Sequence, residues 1–197
     1  MINLIPFLSY VFVTTFTPGP NNIMSMTNAN RDGFKKTINF NFGVFTGFLV
    51  IMLACSYFNL LLFNLIPRIK IFMGIIGSVY MLYLAYKIYT SKHTEGENAD
   101  KHMNSFPAGL MMQFVNPKVI LYGITVISNF IIPYYNTHAA LIFFSLLLAF
   151  IGFVSTTCWA LSGALFQKLL STYRRAFNII MSLLLLYSAI AIFKIIR

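Results

Sequence analysis

Two short motifs place groups that can bind charge inside apolar segments of this chain. They are Thr17-Pro18-Gly19-Pro20-Asn21 and Asn116-Pro117-Lys118. Proline removes a backbone donor and clashes with the carbonyl four residues earlier, so each motif is expected to interrupt a helix. An interrupted helix leaves carbonyl oxygens on one side of the break and N–H groups on the other. Carbonyl oxygens can bind an ammonium group, and N–H groups at a helix start can bind a carboxylate.

The first motif is expected to free two carbonyl groups. Pro18 should free the carbonyl of Thr14, and Pro20 that of Phe16. Asn21 or Asn22 can then cap the half-helix that follows.

The second motif repeats this pattern. Pro117 should free the carbonyl of Gln113, whose own side chain adds a polar group one turn earlier. Asn116 is a suitable cap for the following half-helix. The two motifs together therefore predict a site that can hold both ends of a zwitterion.

The composition indicates the environment in which these motifs lie. The chain is 58% hydrophobic and only 9% charged, whereas roughly a quarter of the residues in a soluble domain are charged. Six apolar stretches, near 5–29, 38–66, 71–90, 106–132, 139–166 and 176–194, are long enough to cross a bilayer, which takes about 17 to 25 residues. They are continuously apolar rather than alternating, so we predict an all-α membrane protein with six transmembrane helices.

We predict a single transmembrane domain, 1–197, built from two halves. A hydrophilic linker at 91–105 separates a half of about 1–90 from a half of about 106–197, with three spans in each. The proline motifs fall in the first and fourth spans. Transporters built from repeats, often inverted ones, place broken helices at the substrate site in this way. Helices 1 and 4 are therefore expected to be broken and to form the site.

The charge distribution predicts topology rather than a nucleic-acid partner. The chain has a formal net charge of +10. Nine of its basic residues fall in the odd-numbered loops: Arg31, Lys35, Lys36, Lys87, Lys92, Lys101, Lys168, Arg174 and Arg175. Because cytoplasmic loops carry the excess of Lys and Arg, we predict that these loops are cytoplasmic and that both termini are external.

Lys118 is the only charged residue predicted near the bilayer centre, where a charge costs about 2.5–3.5 kcal/mol. The four acidic residues all fall in predicted loops, so none of them can pair with Lys118 inside the membrane. The remaining options are a water-filled cavity, the freed carbonyls, a neutral side chain or the carboxylate of a bound substrate. The structural alternative is a shifted span in which Lys118 reaches the interface.

Other residues carry weaker signals. Gly43 and Gly47 form a G-x-x-x-G step, which predicts close helix packing. Trp159 lies in the middle of a span and can wall a cavity or simply pack. No His, Cys, Asp or Glu has metal-ligand spacing within a span, and no catalytic motif is present. We therefore predict no metal site, no cofactor and no enzyme activity.

The two motifs, the chain length and the six predicted spans resemble the lysine-exporter (LysE/RhtB) superfamily of amino-acid efflux proteins. Members typically carry P-G-P-N in the first span and N-P-K in the fourth, and both stand here in full, as Pro18-Gly19-Pro20-Asn21 and Asn116-Pro117-Lys118. The segments Gln113-Phe114-Val115-Asn116, Ile120-Leu121-Tyr122-Gly123 and Cys158-Trp159-Ala160-Leu161 are most similar to the cysteine/O-acetylserine exporter branch.

The resemblance implies a secondary active exporter of small neutral amino acids in the bacterial inner membrane, driven by protons. The residues predicted to bind substrate are Pro18, Gly19, Pro20, Asn21, Asn22, Gln113, Asn116, Pro117, Lys118 and Trp159. Proton-coupled transporters usually relay through intramembrane Asp, Glu or His. The spans contain none, so coupling would use Lys118, Tyr hydroxyls, water or the substrate amine. A passive solute channel and a non-transporting scaffold are the alternatives, and the sequence is compatible with a homo-oligomer.

Overall fold

The computed structural model describes residues 3–90, 101–166 and 172–196. Within these ranges the chain is helical and has no strand, which confirms the all-α class. The α-helices described are α1 (Leu4–Phe16), α2 (Pro20–Asp32), α3 (Phe34–Tyr57), α4 (Asn59–Thr90), α5 (Phe106–Val115), α6 (Pro117–Val126), α7 (His138–Leu165) and α8 (Arg174–Ile196). A turn of 3-10 helix, Lys101–Asn104, precedes α5, and a π-helical turn, Ile127–Ile131, follows α6.

Several of these helices have the length and apolar character of membrane spans. Among the described residues, α3 and α7 can each cross a bilayer as a continuous helix. The pair formed by Phe106–Val115 and Pro117–Ile131 passes the same test as one segment, with a bend of 66° at Asn116. The helix α1 is apolar but shorter.

The boundary between the predicted second and third spans is wrong. We expected a loop between spans at 38–66 and 71–90, but α3 ends at Tyr57 and α4 runs without interruption from Asn59 to Thr90. The chain turns instead at Phe58, whose N–H donates to the carbonyl of Ala54. Pro67 lies inside α4, and proline is tolerated inside transmembrane helices. Of the predicted linker, 101–104 is helical and 91–100 lies outside the described residues.

The first break follows from its two prolines. Thr17, which precedes Pro18, is extended at φ −64° and ψ 150°, and Gly19, which precedes Pro20, is extended at φ −169° and ψ 172°. A residue before proline avoids the helical region, so neither can continue the helix. The helix α2 begins with Pro20 in its first turn, where the missing N–H is not needed.

The capping residue at this break is not the one we predicted. Gly19 is the N-cap of α2, and no side chain accepts a hydrogen bond from the first turn. The expectation that Asn21 or Asn22 caps α2 is therefore wrong. Because Pro20 starts the helix, both asparagines lie within it, and their side chains are available for other contacts.

At the second motif the chain leaves the helix at Asn116, which caps α6 as predicted, but the predicted free carbonyl of Gln113 is not observed. Asn116 is extended at φ −92° and ψ 98°, and it is both the C-cap of α5 and the N-cap of α6. Its side-chain oxygen accepts a hydrogen bond from the Lys118 N–H at 3.1 Å. The Gln113 carbonyl is not left free, because the Asn116 N–H donates to it at 3.3 Å.

The breaks lie between two apolar cores. One core joins residues of α1, α3, α6 and α7, among them Phe7, Phe48 and Leu148. The other joins residues of α2, α3, α4, α5 and α8, among them Ile23 and Leu185. At each break the chain therefore passes from one core to the other, from α1 to α2 and from α5 to α6.

Glycines let the helices around the breaks approach closely. A Cβ atom at Gly43 would overlap the carbonyl of Phe106, and one at Gly47 would lie 2.7 Å from the carbonyl of Leu110. Gly109 makes the reciprocal approach to the carbonyl of Phe40. The predicted packing role of Gly43 and Gly47 is thus confirmed, and it fixes α5 against α3.

Candidate functional site

The side chain of Lys118 connects the two breaks. It starts from the first turn of α6, and its ammonium group donates to the carbonyl of Thr17 at 3.2 Å, to the Thr17 hydroxyl at 3.1 Å and to the carbonyl of Pro18 at 3.4 Å. Gly19 leaves room for it, because a Cβ atom there would lie 3.0 Å from the Lys118 nitrogen. Lys118 thus binds oxygens of the first break, but not the carbonyls of Thr14 and Phe16 that the prolines were predicted to free.

The Lys118 ammonium has oxygen partners without negative charge. Asp32 is the only Asp or Glu among the described residues, and its carboxylate pairs with Arg31 at 2.8 Å. Lys118 therefore keeps a net positive charge that the described part of the chain does not neutralise. A carboxylate brought by a ligand could bind there.

Three side-chain amides join the breaks beneath Lys118. Asn21 donates to the Gln113 oxygen at 2.8 Å, and Gln113 donates back to the Asn21 oxygen at 3.2 Å. Asn116 donates to the same Asn21 oxygen at 3.1 Å. Gln113 is fully buried and also donates to the carbonyl of Gly109 at 2.8 Å. The amides therefore hold α2 against the α5–α6 break.

Side chains also satisfy the carbonyls that the first break frees. The Thr17 hydroxyl donates to Thr14 at 2.9 Å, and the Trp159 indole N–H donates to Phe16 at 3.3 Å. Asn22 donates to the carbonyls of Thr15 and Thr17, at 2.9 and 3.0 Å. Ser155 of α7 donates to the carbonyl of Thr15 at 3.0 Å. The prolines thus freed carbonyls as expected, and α7 supplies two of their donors.

Two cavities meet at Lys118. The larger has a volume of about 590 Å³ and extends from the first break along α1, α4, α6 and α8. The smaller, about 40 Å³, lies between the breaks and helices α3 and α7. Four residues line both: Thr14, Pro20, Lys118 and Tyr122. Most pockets for small molecules have volumes of about 300–1,000 Å³, so the larger cavity can hold a small ligand against the Lys118 ammonium.

The two half-helices differ at their N-termini. In α6 the Asn116 side chain caps the Lys118 N–H, and the N–H groups of Val119 and Ile120 both donate to the Asn116 carbonyl. Our expectation that both half-helices offer N–H groups is therefore wrong for α6. Of the two half-helices, only α2 begins without a side-chain cap, and its N-terminus lies beside the Lys118 ammonium.

A separate polar cluster lies at the far end of α2. The Asn104 amide donates to the Asp32 carboxylate at 2.8 Å and to the Thr37 hydroxyl at 3.3 Å. Asp32 lies beyond the predicted first span. Its burial alone would raise the pKa of the carboxyl group, but hydrogen bonds from Arg31 and Asn104 bring that pKa below the ordinary 3.8. Asp32 is therefore ionised at neutral pH and links α2 to the segment before α5.

The ten predicted site residues lie together around the two breaks. The Lys118 ammonium lies beside the first break, which consists of Pro18, Gly19 and Pro20. The amide cluster consists of Asn21, Gln113 and Asn116, and Pro117 begins α6. Asn22 and Trp159 bind the freed carbonyls. Among the described residues, no group of three or more His, Cys, Asp or Glu side chains is placed to hold a metal ion.

The sequence analysis missed three residues at this site. Thr17 was quoted within the first motif, but we did not predict its contact with Lys118. Ser155 and Tyr122 could have been found from helical spacing. Ser155 stands four residues before Trp159, and Tyr122 stands four residues after Lys118, so each shares a helix face with a predicted residue.

The fold and the site define a helical membrane protein with a small-molecule cavity at two joined helix breaks. Comparison with known proteins gives the family: residues 12–194 match the LysE type translocators. The chain belongs to the LysE family, as its two motifs predicted. It is therefore a multi-pass membrane translocator rather than an enzyme.

Three named relatives match nearly the whole length of the chain. The chain is 42% identical over 187 residues to the cysteine/O-acetylserine efflux protein of Salmonella typhimurium strain LT2, covering 95% of each chain. It is 39% identical over 187 residues to the protein of that name from Escherichia coli strain K12, again covering 95% of each. The Shigella flexneri protein of that name is 39% identical over 192 residues, 98% of each chain. No solved structure matches the chain.

Proposed function

We propose that this chain is a secondary exporter that moves small neutral amino acids, such as cysteine or O-acetylserine, out of the cytoplasm of a bacterial cell through the inner membrane. Six spans in two repeated halves, with the first and fourth spans broken, are part of this proposal. The single observation that carries it is the Lys118 ammonium, which lines the cavity of about 590 Å³ without a carboxylate partner among the described residues. The names of the relatives support the substrate class.

The substrate carboxylate would bind Lys118. The ammonium donates to oxygens of Thr17 and Pro18 at 3.1 to 3.4 Å, which are neutral acceptors. A carboxylate is a stronger acceptor for an ammonium group and would displace them. The uncapped first turn of α2 adds a second favourable element, because its N–H groups attract an anion.

The substrate ammonium would then bind the oxygens that Lys118 releases. When a carboxylate draws Lys118 away, the carbonyls of Thr17 and Pro18 lose a donor. Both face the same cavity. A zwitterion can therefore replace both partners, its carboxylate binding Lys118 and its ammonium binding these carbonyls, which neither a pure anion nor a pure cation can do.

The cavity and the polar cluster at Asp32 suggest how access alternates. The larger cavity is lined by Tyr10 and Thr14, before the first break, and by Leu121 and Thr125, after the second. In the proposed topology, with external termini and cytoplasmic odd loops, these residues lie on the external side. The contacts of Asn104 with Asp32 and Thr37 close the cytoplasmic end and must separate when substrate enters.

Proton coupling is also part of the proposal. Asp32 lies outside the predicted spans and is held ionised by Arg31 and Asn104, so it is a poor carrier of a proton through the membrane. The groups left at the site are the Lys118 ammonium and the amine of the substrate. Loss of a proton from either one on the cytoplasmic side would weaken zwitterion binding, so protonation and binding are linked.

The experiment is an export assay in cells that overproduce the chain. Cysteine and O-acetylserine in the medium are measured against cells with an empty vector, over a range of internal concentrations and with and without an uncoupler. The proposal predicts faster export of one or both, with saturation and with loss of uphill export on uncoupling. Export that rises linearly and ignores the uncoupler would indicate a passive channel. No increase for any amino acid would contradict the proposal.

A further inference from the structure

Two hydroxyl groups in the smaller cavity have no hydrogen-bond partner. They belong to Thr15 and Tyr122, and both oxygens are buried. Tyr122 is 4% exposed, and its hydroxyl faces that of Thr15 without forming a hydrogen bond of ordinary length. Both residues line the cavity of about 40 Å³. Buried polar groups are nearly always paired, so a pair left open at a cavity indicates a missing partner.

Two neighbouring hydroxyls of α7 have partners. Thr156 donates within α7 to the carbonyls of Gly152 and Phe153, at 3.2 and 3.0 Å. Ser155 donates to the carbonyl of Thr15. Among the described residues that line the smaller cavity, Thr15 and Tyr122 are thus the ones with a buried, unpaired hydroxyl.

The Tyr122 ring is held in place, so its hydroxyl cannot turn toward a distant partner. It stacks on Tyr10 with ring centroids 5.9 Å apart and an interplanar angle of 3°. Phe48 packs on it with centroids 5.7 Å apart. The hydroxyl is thus directed to one place, as a residue that recognises a ligand must be.

The size and position of the smaller cavity fit a short side chain. A volume of about 40 Å³ holds about three groups of water size, at about 10–15 Å³ each. The cavity shares Lys118 with the larger one. An amino acid bound by its carboxylate to Lys118 can therefore extend its side chain into the smaller cavity while its amine stays in the larger.

We infer that the smaller cavity is the side-chain pocket of the transporter, and that the hydroxyls of Tyr122 and Thr15 select a side chain ending in a hydroxyl or thiol. This inference rests on the proposed function and adds its selectivity. Serine and cysteine fit the volume and supply the missing partner. An apolar side chain of equal size leaves both hydroxyls unpaired. The side chain of O-acetylserine is larger and has no hydroxyl or thiol, so the chain exports serine and cysteine in preference to O-acetylserine.

The test uses purified protein in liposomes loaded with equal amounts of labelled L-serine, L-cysteine and L-2-aminobutyrate, with O-acetylserine in a parallel set. Aminobutyrate has the size of cysteine but ends in a methyl group. The wild type should release serine and cysteine faster than aminobutyrate and O-acetylserine. In Tyr122→Phe the preference for serine over aminobutyrate should fall by about threefold to tenfold, the effect of one hydrogen bond.

Tyr57→Phe is the matched control, because Tyr57 is exposed and stacks on His138 at the end of α3. It should leave the preference unchanged. Thr15→Val repeats the test without touching the aromatic stack, in case Tyr122→Phe does not fold. Equal preference in wild type and both variants, with export retained, would overturn the inference alone. Liposomes that release no amino acid would overturn the proposed function as well.

Gly152→Ala tests the volume. The added methyl group would lie 3.8 Å from the Phe48 ring, an ordinary contact, so the variant should fold. It would also narrow the smaller cavity, which Gly152 lines. Release of serine and cysteine should fall relative to glycine, which has no side chain to place there. Unchanged relative rates would show that the side chain binds elsewhere.

Discussion

The amide pair between Asn21 and Gln113 is predicted to couple the two breaks energetically. Gln113→Met and Asn21→Leu each remove an amide and keep a similar volume, and the double variant removes both. Each single change leaves the other amide without its main partner. The double change removes the pair together, which is less costly than the sum of the two.

The magnitude follows from the number of bonds. Asn21 and Gln113 exchange two hydrogen bonds, at 2.8 and 3.2 Å. Hydrogen bonds between transmembrane helices average about 0.6 kcal/mol and reach about 1.7, so the coupling energy should be about 1–3 kcal/mol. The bond from Asn116 to Asn21 is lost in both variants that lack Asn21, so it cancels in the cycle.

The assay is a double-mutant cycle on the free energy of unfolding in detergent, by titration with sodium dodecyl sulfate. Trp159 is the only tryptophan of the chain, and its indole donates to the first break, so its fluorescence reports on this site. Costs that add to within about 0.5 kcal/mol would show that the residues are independent. That result would refute the claim that these amides join the breaks.

Three further predictions concern the cation, the cytoplasmic cluster and the helix packing. Gly19→Ala should lower transport by about tenfold or more without unfolding the protein. The extended backbone of residue 19 accepts alanine, but the Cβ atom of the alanine would lie 3.0 Å from the Lys118 nitrogen. A transport assay together with the Trp159 unfolding curve checks this. Asp32→Asn should destabilise the protein by a constant amount between about pH 5 and 8 and lose its effect only below about pH 4; unfolding curves across pH measure it. The reason is that a carboxyl group whose pKa is lowered on folding stabilises the protein above its ordinary pKa. This stabilisation is lost as the pH falls through the pKa of the folded state. Gly43→Val should prevent α5 from packing on α3, so the yield of monodisperse protein should collapse.

Local sequence signals predicted the breaks well. The prolines and the residues before them determine backbone geometry directly, so the ends of α1 and α5 follow from the motifs. The capping role of Asn116 followed for the same reason. The cap of α2 was not predicted correctly. Pro20 serves as the first helical residue, so α2 begins one residue before the asparagines.

Contacts between distant segments could not be predicted in this way. The bond from Lys118 to Thr17 joins residues about half the chain apart, and it depends on how α6 packs beside the first break. The uninterrupted helix α4 was missed because Arg68 and Lys70 interrupt the apolar run, and hydropathy alone does not show whether a helix continues through them. The open hydroxyls of Thr15 and Tyr122 have no sequence signal at all, since only packing reveals which polar groups stay unpaired.

The central claim is that Lys118 binds the substrate, and Lys118→Met tests it most directly. Met keeps the length and apolar stem of lysine and removes the charge. Lys35→Met is the control, because Lys35 is exposed on the first turn of α3 and also loses one positive charge. Cysteine and serine release from liposomes is measured for each variant beside the wild type. We predict that Lys118→Met folds but exports neither amino acid and that Lys35→Met exports both; export by Lys118→Met at the wild-type rate would contradict the account.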